Sequence, residues 1–563
     1  MRARPPILAL APLVTIALFL VPIAAGLGGT LLPAFGWFPA IGGMHLSLRP
    51  WAMLFAYPGF ATALRLTLAV GIGATLLSLG LAIGISALAQ GRPRFHRLEQ
   101  LLTPLLAAPH AAAAIGFAFL LAPSGWIVRL LSPWLTGWHE PPALVTIEDP
   151  LGLAFIAGLL LKEVPYLVLM IAGAAGQVPV APSLAAARSM GYSRPVAWLK
   201  IVLPQVYPQI RLPVYAVLAF SLSVVEVGLV LGPSDPPTLP VLAARWFADY
   251  DLRLYFPAAA AASLQLVLVV LAIASWRLAE RVVAGLGRLW IERGGRRGAA
   301  RGAALIGAGL GGLALAAGLL SLAGMAVWSL AASWRFPEFL PAHWSFRNWA
   351  RHADAVLPPA AATAAIAAAA ALLALALALL CLENEQRRGR PAGNRALWLL
   401  YLPLLVPQIA FLFGAQVILV RLGLDGSFVA TVWAHLLFVL PYVFLSLADP
   451  WRSLDPRFAR IAAGLGAGPW RVFFRVKLPM LLRPLLTALA VGFAVSVGQY
   501  LPTVFAGAGR IATLTTEAVT LSGGGDRRIV GLYAFLQAVL PLLFYSGALL
   551  LPALIYRRRK GMA

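Results

Sequence analysis

Two stretches decide how this chain folds: AAARSMGYSRPVAWLKIVLP at residues 185–204 and RIAAGLGAGPWRVFFRVKLP at residues 460–479. They lie 275 residues apart and share one internal spacing. In each, small residues ending at Ala187 or Ala462 are followed, after three intervening residues, by a glycine, Gly191 or Gly466. After nine further residues comes an apolar-x-Leu-Pro ending: Ile201, Leu203 and Pro204 in one copy, Val476, Leu478 and Pro479 in the other. Both copies are basic and lie between long apolar segments. One such loop would read equally well as an amphipathic connector held by lipid headgroups. Two copies with the same spacing point instead to paired docking surfaces for a symmetric partner.

Working outward, hydrophobic residues make up 61% of the 563 and charged residues only 11%. Mean hydropathy is +0.85, far from a soluble domain. Apolar stretches of about 20 residues, long enough to cross a bilayer, recur along the whole chain. Twelve are read, among them 60–89, 99–121, 212–232, 397–420 and 485–507. The expected fold is therefore an all-α polytopic membrane protein with about 12 transmembrane helices in two parallel-repeat halves.

The net charge of +24 suggests nucleic acid only until its placement is considered. With the N-terminus inside, the inner segments carry +25 in total, including +4 over 179–211 and +5 over 449–483. Outer loops and spans together then net −1, so the charge obeys the positive-inside rule and marks topology. Both termini are expected in the cytoplasm, and no nucleic acid is expected as a partner. The run from Ile7 to Leu31 is too long for a typical signal-peptide core and reads as a retained first span. The only cysteine, Cys381, excludes an intramolecular disulfide.

The repeat extends beyond the loops. Thr238-Leu239 answers Thr513-Leu514 at the same 275 offset, and Leu264-Gln265 answers Leu536-Gln537 at 272. Upstream, Pro109-His110 answers Pro407-Gln408 at 298. This divides the chain into a first half, 1–276, with its loop at 179–211, and a second half, 303–563, with its loop at 449–483. A basic segment, 277–302, joins them inside the cell and reads as a flexible or surface-lying linker.

The loop pattern resembles the "EAA" loop, E-A-A-x3-G-x9-I-x-L-P, of the permeases of binding-protein-dependent ABC importers. The match holds at Gly191, Ile201, Leu203 and Pro204, and at Gly466, Val476, Leu478 and Pro479. It fails at the acidic first position, where Ala185 and Arg460 stand, and Ile461 replaces the first small residue of the second copy. The resemblance implies a type I importer permease in the bacterial cytoplasmic (inner) membrane. It also implies a cytoplasmic ABC ATPase dimer that docks on the loops and an outer substrate-binding protein. The single-chain layout is similar to that of fused permeases of the ferric-iron and thiamine type. The thiamine likeness rests on Gly29-Thr-Leu-Leu-Pro-Ala-Phe-Gly36, Gln499-Tyr-Leu-Pro-Thr503 and the run from Gly507 to Glu517.

Ionisable residues within spans are costly and point to function. Glu226 is the leading candidate for the substrate pathway, with Gln499 and Tyr500 in the matching region of the second half. A carboxylate there favours a cation such as thiamine. The alternative, that Glu226 only fixes helix packing, stays open. Lys162 and Glu163, mid-span, are expected to pair with each other or face the bundle interior.

The chain has no G-x-x-x-x-G-K-[ST], so ATP and its Mg are expected on a separate ATPase, with no catalytic residue, metal site or cofactor in this chain. A 12-span secondary transporter is the competing class, but it needs intramembrane ion sites and Glu226 stands nearly alone. Ferric iron or another imported solute is the alternative cargo.

Overall fold

Helices dominate because a chain this apolar must satisfy its backbone polar groups internally when water is absent. The computed structural model describes residues 6–90, 95–296, 300–389 and 393–556. Among them, nine helices are long and apolar enough to cross a bilayer, from Leu8–Ala34 to Arg527–Ile555. Two bent pairs raise the number to eleven: Trp398–Leu405 with Gln408–Arg421, bent by 92°, and Pro469–Met480 with Leu482–Val497, bent by 77°. Among the described residues the strands form two short hairpins, Trp37–Phe38 with Gly43–Met44 and Ala331–Ser333 with His343–Trp344.

These nine to eleven candidate spans accord with the expected all-α polytopic fold of about twelve, and several of the expected stretches are broken locally. The stretch 212–232 is not one span: the helix Leu203–Ser223 stops, Val224 is extended, and a new short helix runs Glu226–Leu231. At 99–121 the chain leaves the helix Phe95–Ala107, turns at an extended Pro109 and restarts as His110–Leu121. At 397–420 the residue before Pro407, Val406, is forced out of the helical region. Hydropathy counts apolar length and does not register such breaks. Residues 277–292 of the joining segment prolong the helix Tyr255–Glu292 and are largely exposed.

Packing is exchanged across the chain. The first helix, Pro6–Ala34, lies on Gln408–Arg421, while Ala300–Leu330 lies on Phe60–Ala89 and His110–Leu121. Both crossings need glycine at matching places. A Cβ on Gly414 would sit 2.0 Å from the Gly26 carbonyl oxygen, and one on Gly116 would sit 2.4 Å from that of Ser321. Gly116 and Gly414 are 298 residues apart, the offset of the Pro109 and Pro407 turns. In lipid, where apolar side chains gain little from leaving the solvent, such close backbone approach supplies the packing that holds helices together.

Candidate functional site: the paired loops and the polar centre

The loops adopt the same conformation, and their sequence spacing explains it. The first copy forms the helix Val180–Ser189, the second Pro456–Gly464. Each helix ends in a left-handed glycine: Gly191 has φ +86° and Gly466 φ +84°. The Gly191 N–H donates to the Arg188 carbonyl at 2.9 Å and the Tyr192 N–H to that of Ala187 at 3.1 Å. The Gly466 N–H donates to the Ala463 carbonyl and the Ala467 N–H to that of Ala462, both at 3.0 Å. This is the Schellman arrangement, which satisfies the last helix carbonyls and requires a residue tolerant of positive φ. The spacing from Ala187 or Ala462 to its glycine is therefore the geometry of a helix stop.

The rest of the motif follows the same logic. Short turns Arg194–Ala197 and Pro469–Val472 lead into π-helical turns, Trp198–Val202 and Phe473–Lys477, which hold Ile201 and Val476. In each, the N–H just before the proline bonds five residues back: Leu203 to the Trp198 carbonyl, Leu478 to that of Phe473. Pro204 and Pro479 lack an N–H, so the ladder changes register before them, and they open the next helix where proline is tolerated. Each loop leaves a large apolar side chain beside the glycine in the open, Met190 at 52% exposure and Leu465 at 84%. On the second helix Phe458, Ile461 and Leu465 form an exposed stripe at helical spacing.

Both π-turns are tied to the end of a long span. The Trp198 indole donates to Gln90 Oε1 at 2.6 Å, and Arg194 donates to the Gln90 carbonyl. In the second copy Lys477 donates to Gln386 Oε1 at 2.7 Å and to Glu383 at 2.6 Å. Gln90 and Gln386 are 296 residues apart, at the ends of Phe60–Ala89 and Arg347–Arg388. Each loop is thus tied to a long helix through short, largely buried bonds. One difference stands out: only the first loop is also gripped by the inner segment. Lys200 donates to the Trp290 and Gly295 carbonyls, at 2.8 and 3.0 Å, and the Ser193 N–H donates to the Arg296 carbonyl at 3.1 Å.

Deeper in the bundle, the helix break at Val224 recurs at Gly498–Tyr500, 275 residues on. A break leaves carbonyls without helical donors, and buried donors replace them. Gln265 donates to the Leu222 carbonyl at 2.9 Å. Gln537 reaches the matching Val497 carbonyl through the Thr515 hydroxyl. Thr67 accepts from the Leu239 N–H at 2.8 Å and Thr363 from that of Leu514 at 2.9 Å. The repeated Gln residues of the sequence supply these replacement donors, and the repeated Thr-Leu pairs each present a helix-start N–H to a buried threonine hydroxyl. Asp251 and Asp526 cap helix starts by accepting from the N–H groups of Arg253 and Arg528. The Arg528 hydrogen bonds also hold the Asp526 carboxyl below its ordinary range.

Glu226 is buried, opens the short helix after the break, and turns its carboxylate toward the N–H groups of Val225 and Glu226 itself. It lies within electrostatic reach of Tyr500. Gln499 folds back on the Val495 carbonyl. Glu226 and Tyr500 thus lie within electrostatic reach without a hydrogen bond between them among the described residues, while the Gln499 amide bonds back to the Val495 carbonyl.

Lys162 and Glu163 do not pair with each other. The Lys162 ammonium donates to the carbonyls of Leu105, Leu106 and Ala108, closing the C-terminal end of Phe95–Ala107. Glu163 instead meets His110 Nε2 at 3.4 Å. The pairing was hidden in the sequence because consecutive residues on a helix diverge by about 100°. The one available signal was His110 itself, directly after the Pro109 turn. Among the described residues no group of three or more His, Cys, Asp or Glu has metal-holding geometry.

Against this geometry the likeness to known proteins is informative. Residues 377–558, which contain the second loop, match the family described as binding-protein-dependent transport system inner membrane component. The chain is similar to the inner membrane ABC transporter permease protein YnjC of Escherichia coli (strain K12). The two are 34% identical over 525 residues, 92% of this chain and 93% of that protein. Shorter likenesses run to molybdenum transport system permease proteins ModB: 32% over 130 residues in Mycobacterium bovis, 21% of this chain and 49% of that one. The Azotobacter vinelandii protein shares 34% over 77 residues, 14% of this chain and 34% of its own. A likeness that spans nearly the whole of both chains, together with spans broken and loops capped as above, places this chain among the inner-membrane permeases of binding-protein-dependent ABC transporters.

Proposed function

We propose that this permease is a fusion of two halves, 1–276 and 303–563, joined by the inner segment 277–302, and that it forms the pathway of an ATP-driven importer. The loops at 179–211 and 449–483 dock on a cytoplasmic ABC ATPase dimer that binds the ATP and Mg. A periplasmic or extracellular binding protein delivers the solute, and both termini lie in the cytoplasm. ATP-driven closure of the dimer moves the two loops together. The Gln90 and Gln386 ties pass that motion to the spans, switching access from one side to the other. The observation that carries this reading is the shared loop conformation, with a left-handed glycine at each helix stop and exposed Met190 and Leu465 beside it.

The solute proposed is an organic cation of the thiamine kind. The buried Glu226, within electrostatic reach of Tyr500, supports it, as does the resemblance at Gln499–Thr503 and Gly507–Glu517. An oxyanion is the second reading, favoured by the ModB relatives, whose names specify molybdenum.

The test is Met190→Asp with Leu465→Asp. Both side chains are exposed, so folding is spared while the ATPase should be lost from the purified complex and uptake should cease. A variant that keeps its ATPase and its uptake would remove the loops from the docking surface. Competition of uptake by thiamine or by molybdate then separates the two solutes.

A further inference from the structure

The two loops are not presented alike, and the difference lies in the joining segment. The helix Tyr255–Glu292 stops at a left-handed glycine, Gly294 with φ +68°, whose N–H donates to the Ile291 carbonyl at 3.0 Å. A helix end leaves carbonyls without donors and favours a positive charge. Lys200, buried in the first loop, answers both needs. Its ammonium donates to the Trp290 carbonyl at 2.8 Å and to the Gly295 carbonyl at 3.0 Å, and lies 4.6 Å from the centre of the Trp290 ring. Its counterpart at the 275 offset, Arg475, is exposed.

This brace carries the next residue onto the face of the first loop. The Ser193 N–H donates to the Arg296 carbonyl at 3.1 Å, which fixes the Arg296 backbone beside the loop's helix stop. The Arg296 side chain then runs past Gly191. Its Cδ and one guanidinium nitrogen lie 3.8 and 3.9 Å from the place a Gly191 Cβ would take, and the guanidinium carbon stands 5.9 Å from the centre of the Tyr192 ring. Arg296 is exposed, and among the described residues its guanidinium has no hydrogen bond and no carboxylate partner. At Gly466, among the described residues, nothing lies within 4 Å of the same place. A protein surface that seats on Met190 and Gly191 therefore meets Arg296 as well, whereas one that seats on Leu465 and Gly466 meets the apolar stripe alone.

We propose that Arg296, carried by the joining segment, is an added docking residue of the first loop and pairs with an acidic side chain of the ATPase, so that the two loops are engaged unequally. This deepens the docking reading above and rests on it. An unpaired guanidinium held beside a contact point suits a carboxylate, with which it can form two parallel hydrogen bonds. The loop helix and the segment also expose Arg188, Arg281, Arg288 and Arg293 against the single exposed acid Glu292, so the first face is basic as a whole. Charge then governs encounter and salt dependence on the first side, and apolar contact governs the second.

The test titrates the P-loop ATPase recovered with the chain from its native membranes onto the purified chain in detergent. Arg296→Ala should weaken binding about two- to fivefold at low salt, and Arg296→Lys should keep most of it. Arg296→Glu, which sets like charges against each other, should weaken it roughly tenfold. The losses should fade as salt is raised, because exposed charges are screened. Folding is spared, since the Arg296 carbonyl that accepts from Ser193 stays in every variant, and an unchanged Tm in detergent checks this. Arg296→Glu binding like the parent, while Met190→Asp with Leu465→Asp abolishes binding, would overturn the role of Arg296 alone. Binding unchanged in both, or no ATPase recovered, would overturn the docking reading with it. A loss seen only in vesicles containing anionic phospholipid, and not in detergent, would assign Arg296 to lipid headgroups and overturn the proposal as well.

Discussion

The glycines at the two helix stops allow a prediction that can be worked from geometry. At Gly466 a Cβ would meet nothing within 4 Å, and at Gly191 only the Arg296 side chain, at 3.8 Å. Steric cost from the surroundings is therefore negligible, and a substitution is felt through the backbone alone. With φ at +84° and +86°, an L side chain costs roughly 1–2 kcal/mol, which lowers the population of the turn about 5- to 30-fold. Asparagine tolerates this region and should cost less, while a β-branched residue should cost more. Affinity for the ATPase, titrated on purified chain, and ATP-driven uptake in proteoliposomes should both fall in the order Gly, Asn, Ala, Val. Among the described residues no backbone hydrogen bond joins the two helix stops, so the backbone costs at Gly191 and Gly466 should add. Valine performing as well as glycine, or asparagine as badly as valine, would refute the claim that the left-handed turn shapes the docking surface.

Other expectations follow from the packing and the polar centre. Gly414→Val drives a side chain into the Gly26 carbonyl and should cost about 1–3 kcal/mol or more, seen as a lower Tm in detergent. Gly28→Val, which meets nothing within 4 Å, should leave Tm unchanged. Lys162→Met removes the donor to three carbonyls and should destabilise by about 2–5 kcal/mol on the same assay, since each buried acceptor left unmet is costly. Gln265→Leu strips the Leu222 carbonyl of its donor and should cost about 1–3 kcal/mol. Glu226→Gln should reduce uptake while assembly and basal ATPase activity persist; unchanged uptake would remove Glu226 from the pathway.

The parts of this molecule that the sequence makes legible are those set by local spacing. The interval from Ala187 to Gly191 is a helix stop, and Pro204 and Pro479 mark a register change, because both effects act within a few residues. The matching of Gln265 with Gln537 was visible, but its purpose was not: that Val497 and Leu222 lose their donors depends on where a helix breaks in space. The same limit hid the Lys162 contacts and the breaks at Pro109 and Val224 inside expected spans. The exchanged first helix left only glycines in the sequence, and glycines are common in such helices for many reasons.

The account stands or falls on a partner. The tagged chain should be purified from native membranes in mild detergent and its bound proteins identified by mass spectrometry. Recovery of a P-loop ATPase at two copies per chain, lost when Met190 and Leu465 are changed together, is the predicted result. Repeated recovery of the chain alone, with uptake driven by an ion gradient instead of ATP, would contradict it.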